Sequence, residues 1–467
     1  MGKEIYNPVY DVVIAGGGVS GAVSAIAAGR CGVKTIVIEQ YGFLGGSLTA
    51  NGVGPMMTFH AGERQVIAGI MEEIVEELVR RGYSTGHIKD TTQYISYLTP
   101  FQSEGLKIVL DEFLEKAGCK VLFHTFVGGV NITGDTIQSI TVCNKDGLND
   151  VRGKVFIDAT GDGDIAAFGG APMTKGRECD GAMQPMTMNM KYSQVNGDIL
   201  KGHIEKYKEE FPRMIHNIEL MKNTNRLSFA GFTKEFNQAR ELGEIDILRE
   251  EILCFETTIK GEFIVNTTRI LGFDATDCAS LSKAEVVGRK QCEQLDRFLR
   301  KWIKGFKDAI LEVTGPNIGV RGSRQLKGIY TLTAEDILNR KEFNTVIAHS
   351  AYPIDIHNPK GEGTQSSFIS EPGTYYSIPY EVMVCEEIKN LLVTGRCVSA
   401  TFEAQAAIRT TPTVGALGHA CGIAAALAVK EEGITKNINV KELQKELVKQ
   451  KAYLDLKNHE KNPAVKK

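Results

Sequence analysis

The stretch DVVIAGGGVSGAVSAIAAGRCGVKTIVIE, residues 11–39, constrains this chain more than any other. A β-branched run, Asp11–Ala15, leads straight into Gly16, Gly18 and Gly21, spaced G-x-G-x-x-G. An alanine-rich, helix-compatible segment follows from Ser20 to Arg30, then a second apolar run, Val33–Glu39. Gly16 permits a tight turn, Gly18 lets the backbone approach a pyrophosphate, and Gly21 lets helix pack closely on strand. The helix N-terminus, opening at Ser20, offers its unsatisfied N–H groups to the phosphate charge. Glu39 closes the second strand, where an acid accepts ribose hydroxyls and repels a 2′-phosphate, which disfavours NADP. The spacing alone is a weak signal. Strand, helix, second strand and terminal acid in register make it a dinucleotide site.

Downstream, Ile67, Ile70, Ile74 and Leu78 recur at helical spacing, and Leu106–Ala117 predicts another helix. Lys120–Val130, Thr136–Asn144 and Val151–Ile157 are expected as three strands, the last running into a second glycine turn, DATGDGD (158–164). From about Lys175 to Ser370 glycine thins and charge rises. Within it Ser282 and Glu285 predict a capping box opening a helix to about Phe306, and Thr333 with Asp336 a second helix start. Asn390–Thr394 is then a strand, followed by a third glycine turn, Gly395–Arg396, and a small-residue helix. An NAD domain would continue into further βαβ units. Three separated loops meeting on one cofactor suit a long, extended ligand such as FAD.

Composition removes other classes. At ~150 residues per domain, 467 residues predict two or three domains with no need of a disulfide or metal staple. Lys+Arg of 54 against Asp+Glu of 57 leaves a formal charge of −3, which excludes a basic nucleic-acid surface. The 10 cysteines stand singly with no C-x-x-C pair, so zinc ribbons, iron–sulfur clusters and thioredoxin-type chemistry are not expected. The N-terminus has no signal-peptide pattern, and Tyr6 stands where a myristoylation site needs Ser or Thr. Thr413–Val429 is apolar but broken by His419, so it is expected as a buried helix rather than a membrane span. A cytoplasmic protein follows as the expectation.

From about Tyr10 to Glu432 the chain resembles the FAD-dependent oxidoreductases related to the flavoprotein subunits of fumarate reductase and succinate dehydrogenase. The pieces that carry the resemblance are GGGVSGAVSAIAAGRCG, VIEQYGFLGGSLTANG, FIDATGDGDIAAFGGAP, FDATDCASLSKAEVVGR, YTLTAEDIL, YSIPYEVMV and LLVTGRCVSATFEAQAAIRTTPTVGALGHACGIAAA. The resemblance implies an α/β fold: a Rossmann-like FAD-binding domain of glutathione-reductase type with an inserted α+β cap. Residues 1–174 and 371–436 would form the discontinuous FAD domain, 175–370 the substrate-binding cap, and 437–467 a C-terminal helix and tail. It also implies that Gly16, Gly18, Ser20 and Gly21 hold the pyrophosphate and Glu39 the adenosine ribose. Gly45, Gly46 and Ser47 would approach the flavin, and Val127 the adenine. Ala159, Thr160, Gly161 and Asp162 would pass beneath the adenosine half, and Gly395 and Arg396 would touch the pyrophosphate and ribityl chain. The helix from about Thr413 would aim its N-terminus at the flavin, where its dipole stabilises the anionic reduced form. GGSLTANG has no histidine for a covalent flavin link, so FAD is expected to be non-covalent.

Relatives acting on unsaturated acids clamp carboxylates with arginine. The candidate catalytic residues are therefore Arg409, Arg321, His357 and Tyr376, with Arg324, His349 and Tyr375 nearby in sequence. Each also has a structural reading: Arg321 and Arg324 as braces between cap and core, Tyr375–Tyr376 as strand core, His419 as a core residue. His349 and His357 with Asp355 between them lack a third ligand, so no metal is expected. Glu403 and Gln405 are candidates to hydrogen-bond the flavin, and Cys397 has no partner for a redox disulfide. Hydride transfer between flavin N5 and a small or medium polar substrate is the leading reading. A diffusible electron donor or acceptor, or a redox partner protein, completes the cycle, and a homo-oligomer is the base-rate state. An FAD-holding electron-transfer subunit, and a flavin-dependent hydratase or isomerase without net redox change, are the alternatives.

Overall fold

Strand Val9–Ala15 pairs in parallel with Thr35–Ile38 on one side and Gly147–Asp158 on the other. Thr35–Ile38, most of Val9–Ala15 and the last four residues of Gly147–Asp158 are buried on both faces, and such continuous apolar runs are what a parallel sheet covered by helices demands. The computed structural model describes residues 2–367 and 373–456. In the seven-stranded sheet the order is Lys120–Leu122, Thr35–Ile38, Val9–Ala15, Gly147–Asp158, Thr136–Asn144 and Phe126–Thr133. The long strand Gly147–Asp158 is shared lengthwise. Its first half pairs with the antiparallel strand Thr136–Asn144, its last three residues with the parallel strand Leu391–Val393. Consequently Ala15, Ile38, Asp158 and Val393 all end at one edge of the sheet, although they lie up to 378 positions apart in sequence.

The expected single strand Lys120–Val130 is two strands. His124 takes a left-handed conformation (φ 51°), and the chain turns there from a parallel edge strand into an antiparallel one. The helix expected to start at the Ser282–Glu285 box starts earlier, at Cys278, because Asp277 caps it by accepting Ser280 N–H at 2.6 Å. Glu285 instead accepts the Ile318 N–H at 2.7 Å. The Thr333–Asp336 capping box is present.

Helices Val19–Arg30 and Thr411–Lys430 cross on one face of the sheet. Their small residues let the backbones nearly touch: a Cβ on Gly418 would lie 2.3 Å from the Ser20 carbonyl, and one on Gly422 2.1 Å from that of Ser24. Ser24 Oγ donates to the Ser20 and Gly418 carbonyls at 2.7 and 2.9 Å, stitching the crossing. A Gly422→Val substitution is expected to cost about 2 kcal/mol or more through overpacking, read as a lower urea midpoint with unchanged slope. Thr411–Lys430 is long and apolar enough to cross a membrane, but 83% of its most apolar stretch is buried inside the protein. It is the core helix of the sheet.

His419 on that helix is 1% exposed, with its Nε2 3.2 Å from Gln450 Oε1. Burial pushes its pKa down to about 4 against the ordinary 6.5. Between pH 6.5 and 4 the unfolded chain takes up a proton that the folded chain refuses, so stability falls as pH falls through that window. The expected loss by pH 5 is about 2 kcal/mol. His419→Gln should remove about that share of the acid loss of stability, read by calorimetry from melting temperatures between pH 8 and 5.

A second antiparallel sheet runs Ser228–Gly231, Ile252–Glu256, Phe263–Val265, Met190–Ser193, Ile310–Thr314, backed by helix Cys278–Trp302. Its own apolar core draws on residues from Met186 to Ile318. Ile347, Ala348, Ile354 and Tyr376 pack instead into the core of the first sheet. The 175–370 segment is thus split between two cores, and its expected boundary near 370 lies outside the described residues. At the other end of the segment, strand Met173–Lys175 pairs with Arg324–Leu326 where the chain returns from the second sheet. Beyond Lys436, helix Val440–Lys449 buries Leu443 and Leu447, and residues 457–467 lie outside the described residues.

Candidate active site

The carboxyl edge of a parallel sheet is where an α/β fold binds ligands, because helix N-termini and loops gather there. Here the loops after four parallel strands line one cavity of about 1120 Å³, just above the 300–1,000 Å³ or so usual for ligand and cofactor sites. Gly16 and Gly18 come from the first loop, Glu39 and Tyr41 from the second, Ala159–Asp162 from the third, Gly395 and Arg396 from the fourth. Gly16 takes φ +96°, and a Cβ there would sit 2.4 Å from the Ala159 carbonyl, so only glycine brings these loops together. Gly18 also bridges to Gly45, which draws Gly46 and Ser47 into the wall.

Backbone donors place the Glu39 carboxylate. Gly17 N–H donates to its Oε2 at 2.6 Å and Tyr41 N–H to its Oε1 at 2.8 Å. Burial raises its pKa against those bonds. On the opposite wall Asp162 accepts from Arg396 Nη2 at 2.7 Å and from Ser323 Oγ at 2.5 Å. Arg324 pairs with Asp164 at 2.9 Å, which makes it a brace between the sheet and the returning chain. Both helices that open on the cavity, Val19–Arg30 and Thr411–Lys430, lack a side-chain cap, so their first N–H groups are free for an anion. The Nε of Arg396 is buried with no partner. A long cavity, two uncapped helix N-termini and an acid beside the second strand fit a dinucleotide with an extended tail.

The inner end of the cavity is charged, and five distant segments build it. Asp355 is the hub. Its Oδ1 accepts the Tyr94 hydroxyl at 2.8 Å; its Oδ2 lies 3.3 Å from the Tyr352 hydroxyl, 3.1 Å from Arg409 Nη2 and 3.3 Å from His357 Nε2. Burial opposes the charge, but the Arg409 guanidinium and hydrogen bonds from His357 and Tyr94 outweigh it and hold this carboxyl well below the ordinary range. Burial and the nearby Arg321 charge push His357 down to about 3, so its ring is neutral at neutral pH. Its Nδ1 stands 3.2 Å from the Thr364 hydroxyl.

Two further guanidinium groups face the same space. Arg321 is 9% and Arg249 5% exposed. Arg321 Nη1 donates to the Pro185 carbonyl at 2.5 Å and Arg249 Nε to the Glu251 carbonyl at 3.3 Å, while Arg249 Nη1 has no partner. Among the described residues neither pairs with a carboxylate, whereas Arg213 beside them pairs with Glu251 at 2.6 Å. Burial, then the repulsion of Arg409, Arg249 and Arg269, pushes Arg321 well below its ordinary value.

Most of the residues expected from sequence meet here: Gly16, Gly18, Ser20, Glu39, Gly46, Ser47, Val127, Ala159, Thr160, Gly161, Asp162, Gly395, Arg396, Arg321, His357 and Arg409 all line the cavity. Gly21, Gly45 and Thr413 support it from behind rather than line it; Thr413 Oγ1 bonds Ser350 Oγ at 2.8 Å. Tyr376 is displaced from its expected role. It is 1% exposed in the sheet core, and its hydroxyl donates to the Tyr352 carbonyl at 3.2 Å. Gln405 likewise packs behind the wall, donating to the Arg321 carbonyl at 2.8 Å. His349 lies outside the cavity, accepting the Asp455 N–H at 3.1 Å.

Sequence reasoning missed Tyr94, Arg213, Arg249 and Tyr352. The one local signal was Asp90-Thr91-Thr92. The buried Asp90 carboxylate accepts the Thr92, Tyr94 and Ile95 N–H groups at 2.9–3.2 Å, knotting the loop that carries Tyr94. Arg249 sits in the charged run LREEI, which reads as surface.

A family profile described as FAD dependent oxidoreductase matches residues 11–447. No curated protein sequence matches. Among solved structures, the chain is similar to a geranylgeranyl bacteriochlorophyll reductase-like protein of Thermoplasma acidophilum, with 12% identity over 95% of this chain and 84% of that one, TM-score 0.48. It is also similar to p-nitrophenol 4-monooxygenase PnpA of Pseudomonas putida DLL-E4, with 10% identity, 95% and 84% coverage, TM-score 0.47. L-proline dehydrogenase of P.horikoshii shares 11% identity, with 96% and 99% coverage and a TM-score of 0.44. With the family profile spanning the glycine loops, the inner arginines and the core helix alike, the chain belongs to the FAD dependent oxidoreductase family.

Proposed function

We propose that this flavoenzyme transfers hydride between FAD and a small, polar organic substrate bearing an anionic group. One observation carries the reading: Arg249 and Arg321 are buried at the inner end of the cavity with only backbone carbonyls as partners. A buried guanidinium with no carboxylate in ion-pair reach is costly, and a bound anion is what offsets it. FAD supplies the hydride-transferring centre, N5, when bound.

The residues have separable tasks. Gly16, Gly18, Ser20, Asp162, Gly395 and Arg396 hold the pyrophosphate and ribityl chain, Glu39 the ribose and Val127 the adenine. No histidine stands in GGSLTANG, which favours non-covalent FAD. The Thr411–Lys430 N-terminus opens on the cavity, where it would face the flavin. Arg249, Arg321 and Arg409 clamp the substrate's anionic group, and Asp355 fixes Arg409 in place while bonded to neutral His357 and beside the Tyr352 hydroxyl. The 175–370 segment acts as the cap of a glutathione-reductase-type FAD domain, with its working core at residues 186–318. The motifs ally the chain most with the fumarate reductase and succinate dehydrogenase flavoproteins. A diffusible donor or acceptor, or a redox partner protein, closes the cycle.

Anaerobic mixing of the FAD-loaded protein with a panel of organic acids, alcohols and amines tests the reading. Bleaching of the flavin by an acid, or reoxidation of pre-reduced flavin by an unsaturated or oxo acid, is expected. Redox turnover confined to uncharged compounds would refute the anion claim, and turnover with a permanently oxidised flavin would refute hydride transfer.

A further inference from the structure

The inner end of the cavity carries unpaired acceptors as well as unpaired donors. Among the described residues, Asn266 Oδ1 and Glu250 Oε1 are shielded atoms without a hydrogen-bond partner, on half-buried side chains that line the cavity alongside Arg249, whose Nη1 is equally unpaired. Glu250 Oε2 is 3.8 Å from Arg269 Nη1, too far for a hydrogen bond, so that arginine does not satisfy the carboxylate. Asn266 follows strand Phe263–Val265, and its backbone N–H is taken by the Leu253 carbonyl at 2.9 Å, which fixes the residue on the floor of the cap sheet.

Buried polar groups in folded proteins are paired almost without exception, by protein, water or ligand. A carboxylate oxygen only accepts, so its missing partner is an O–H or N–H. Nearby, Arg249 and Arg321 ask for an anion. A simple mono- or dicarboxylate ion answers the second demand and not the first, because when ionised it has no hydrogen to give.

We infer that the ligand of this pocket is a small carboxylate that also bears a hydroxyl or amino group, its anion on Arg249 and Arg321 and its O–H on one of Asn266 and Glu250, or its N–H groups on both. This rests on the anionic-substrate reading above and narrows it. The FAD phosphates are assigned to the glycine loops and Arg396, which leaves these acceptors to the substrate or to the flavin end of the cofactor, and the experiment separates the two.

The test is equilibrium binding to the FAD-loaded protein, followed by the change in flavin absorbance. The ligands are a four-carbon set: 2-hydroxybutyrate, 2-aminobutyrate, butyrate, succinate and 2-hydroxybutyramide. The hydroxy or amino acid is expected to bind about tenfold or more tightly than butyrate and succinate, the cost of leaving a buried acceptor unpaired. Asn266→Leu and Glu250→Leu should each narrow that gap for the amino acid, and one of them should close it for the hydroxy acid, while Arg249→Met should weaken the acids together. Butyrate or succinate binding as tightly as the substituted acids would overturn this inference and leave the anionic-substrate reading standing. The amide binding as tightly as the acids would refute the anion claim itself, and binding by none of the acids would overturn both. Loss of FAD from Asn266→Leu and Glu250→Leu protein that still melts cooperatively would show that these atoms face the cofactor, and would also overturn it.

Discussion

Gly21→Ala is expected to yield a folded but colourless protein whose FAD affinity has dropped by at least about a hundredfold, or roughly 2.8 kcal/mol. The added Cβ would fall 1.9 Å from the Gly16 carbonyl and 3.0 Å from the Ala159 side chain. Neither neighbour gives way: the carbonyl belongs to the tight turn, and Ala159 to the loop that closes over it. The helix Val19–Arg30 must therefore move off the strand, carrying its uncapped N–H groups away from the pyrophosphate. The same shift loosens the crossing with Thr411–Lys430, so a melting temperature several degrees lower accompanies the loss. Titration of apo-protein with FAD, followed by quenching of flavin fluorescence, measures the effect. Unchanged affinity would show that the first glycine loop does not hold the cofactor.

Arg321→Met separates stability from function. Most substitutions that remove a buried, bonded group destabilise, but Arg321 has no carboxylate partner and is repelled by Arg409, Arg249 and Arg269. Replacing it by an apolar side chain of similar length removes that repulsion and leaves only the Pro185 carbonyl without its donor. The two changes are of similar size and opposite sign, so the ligand-free stability should stay within about 1 kcal/mol of the parent. Turnover should fall by about a hundredfold to a thousandfold, because an anion in the cavity loses a desolvated charge partner worth about 2–5 kcal/mol. Steady-state kinetics and urea unfolding of one preparation check both halves. A strongly destabilised protein with normal specific activity would mean that Arg321 is a brace, the role its sequence context also allows.

The two variants mark where the sequence could be read and where it could not. Gly16, Gly18, Gly21 and Glu39 were legible because their demands are local. A turn that only glycine can make, a helix starting at its end and an acid one strand later occupy 29 consecutive residues of the chain. Asp158–Asp162 and Gly395–Arg396 were legible for the same reason, each being a glycine turn at a strand end. Tyr376 was misplaced because an aromatic residue in a short strand has two faces to choose from. The pairing of Tyr376–Pro379 with Val346–Ser350 turned it into the core.

Tyr94, Arg249, Asp355 and Arg409 carry no such local signature. They come from a turn knotted by Asp90, a charged run, a hairpin and a helix junction. Their chemistry exists only because the chain brings 94, 249, 355 and 409 to one carboxylate and one patch of buried charge. By itself, the sequence determined a dinucleotide-binding sheet, its glycine turns and the cofactor that fits them, since those follow from backbone conformation over a few residues. Of the side chains that line the charged part of the cavity, Arg321, His357 and Arg409 were named from sequence, while Tyr94, Arg249 and Tyr352 were decided by tertiary structure alone, because burial and charge compensation depend on neighbours hundreds of positions away.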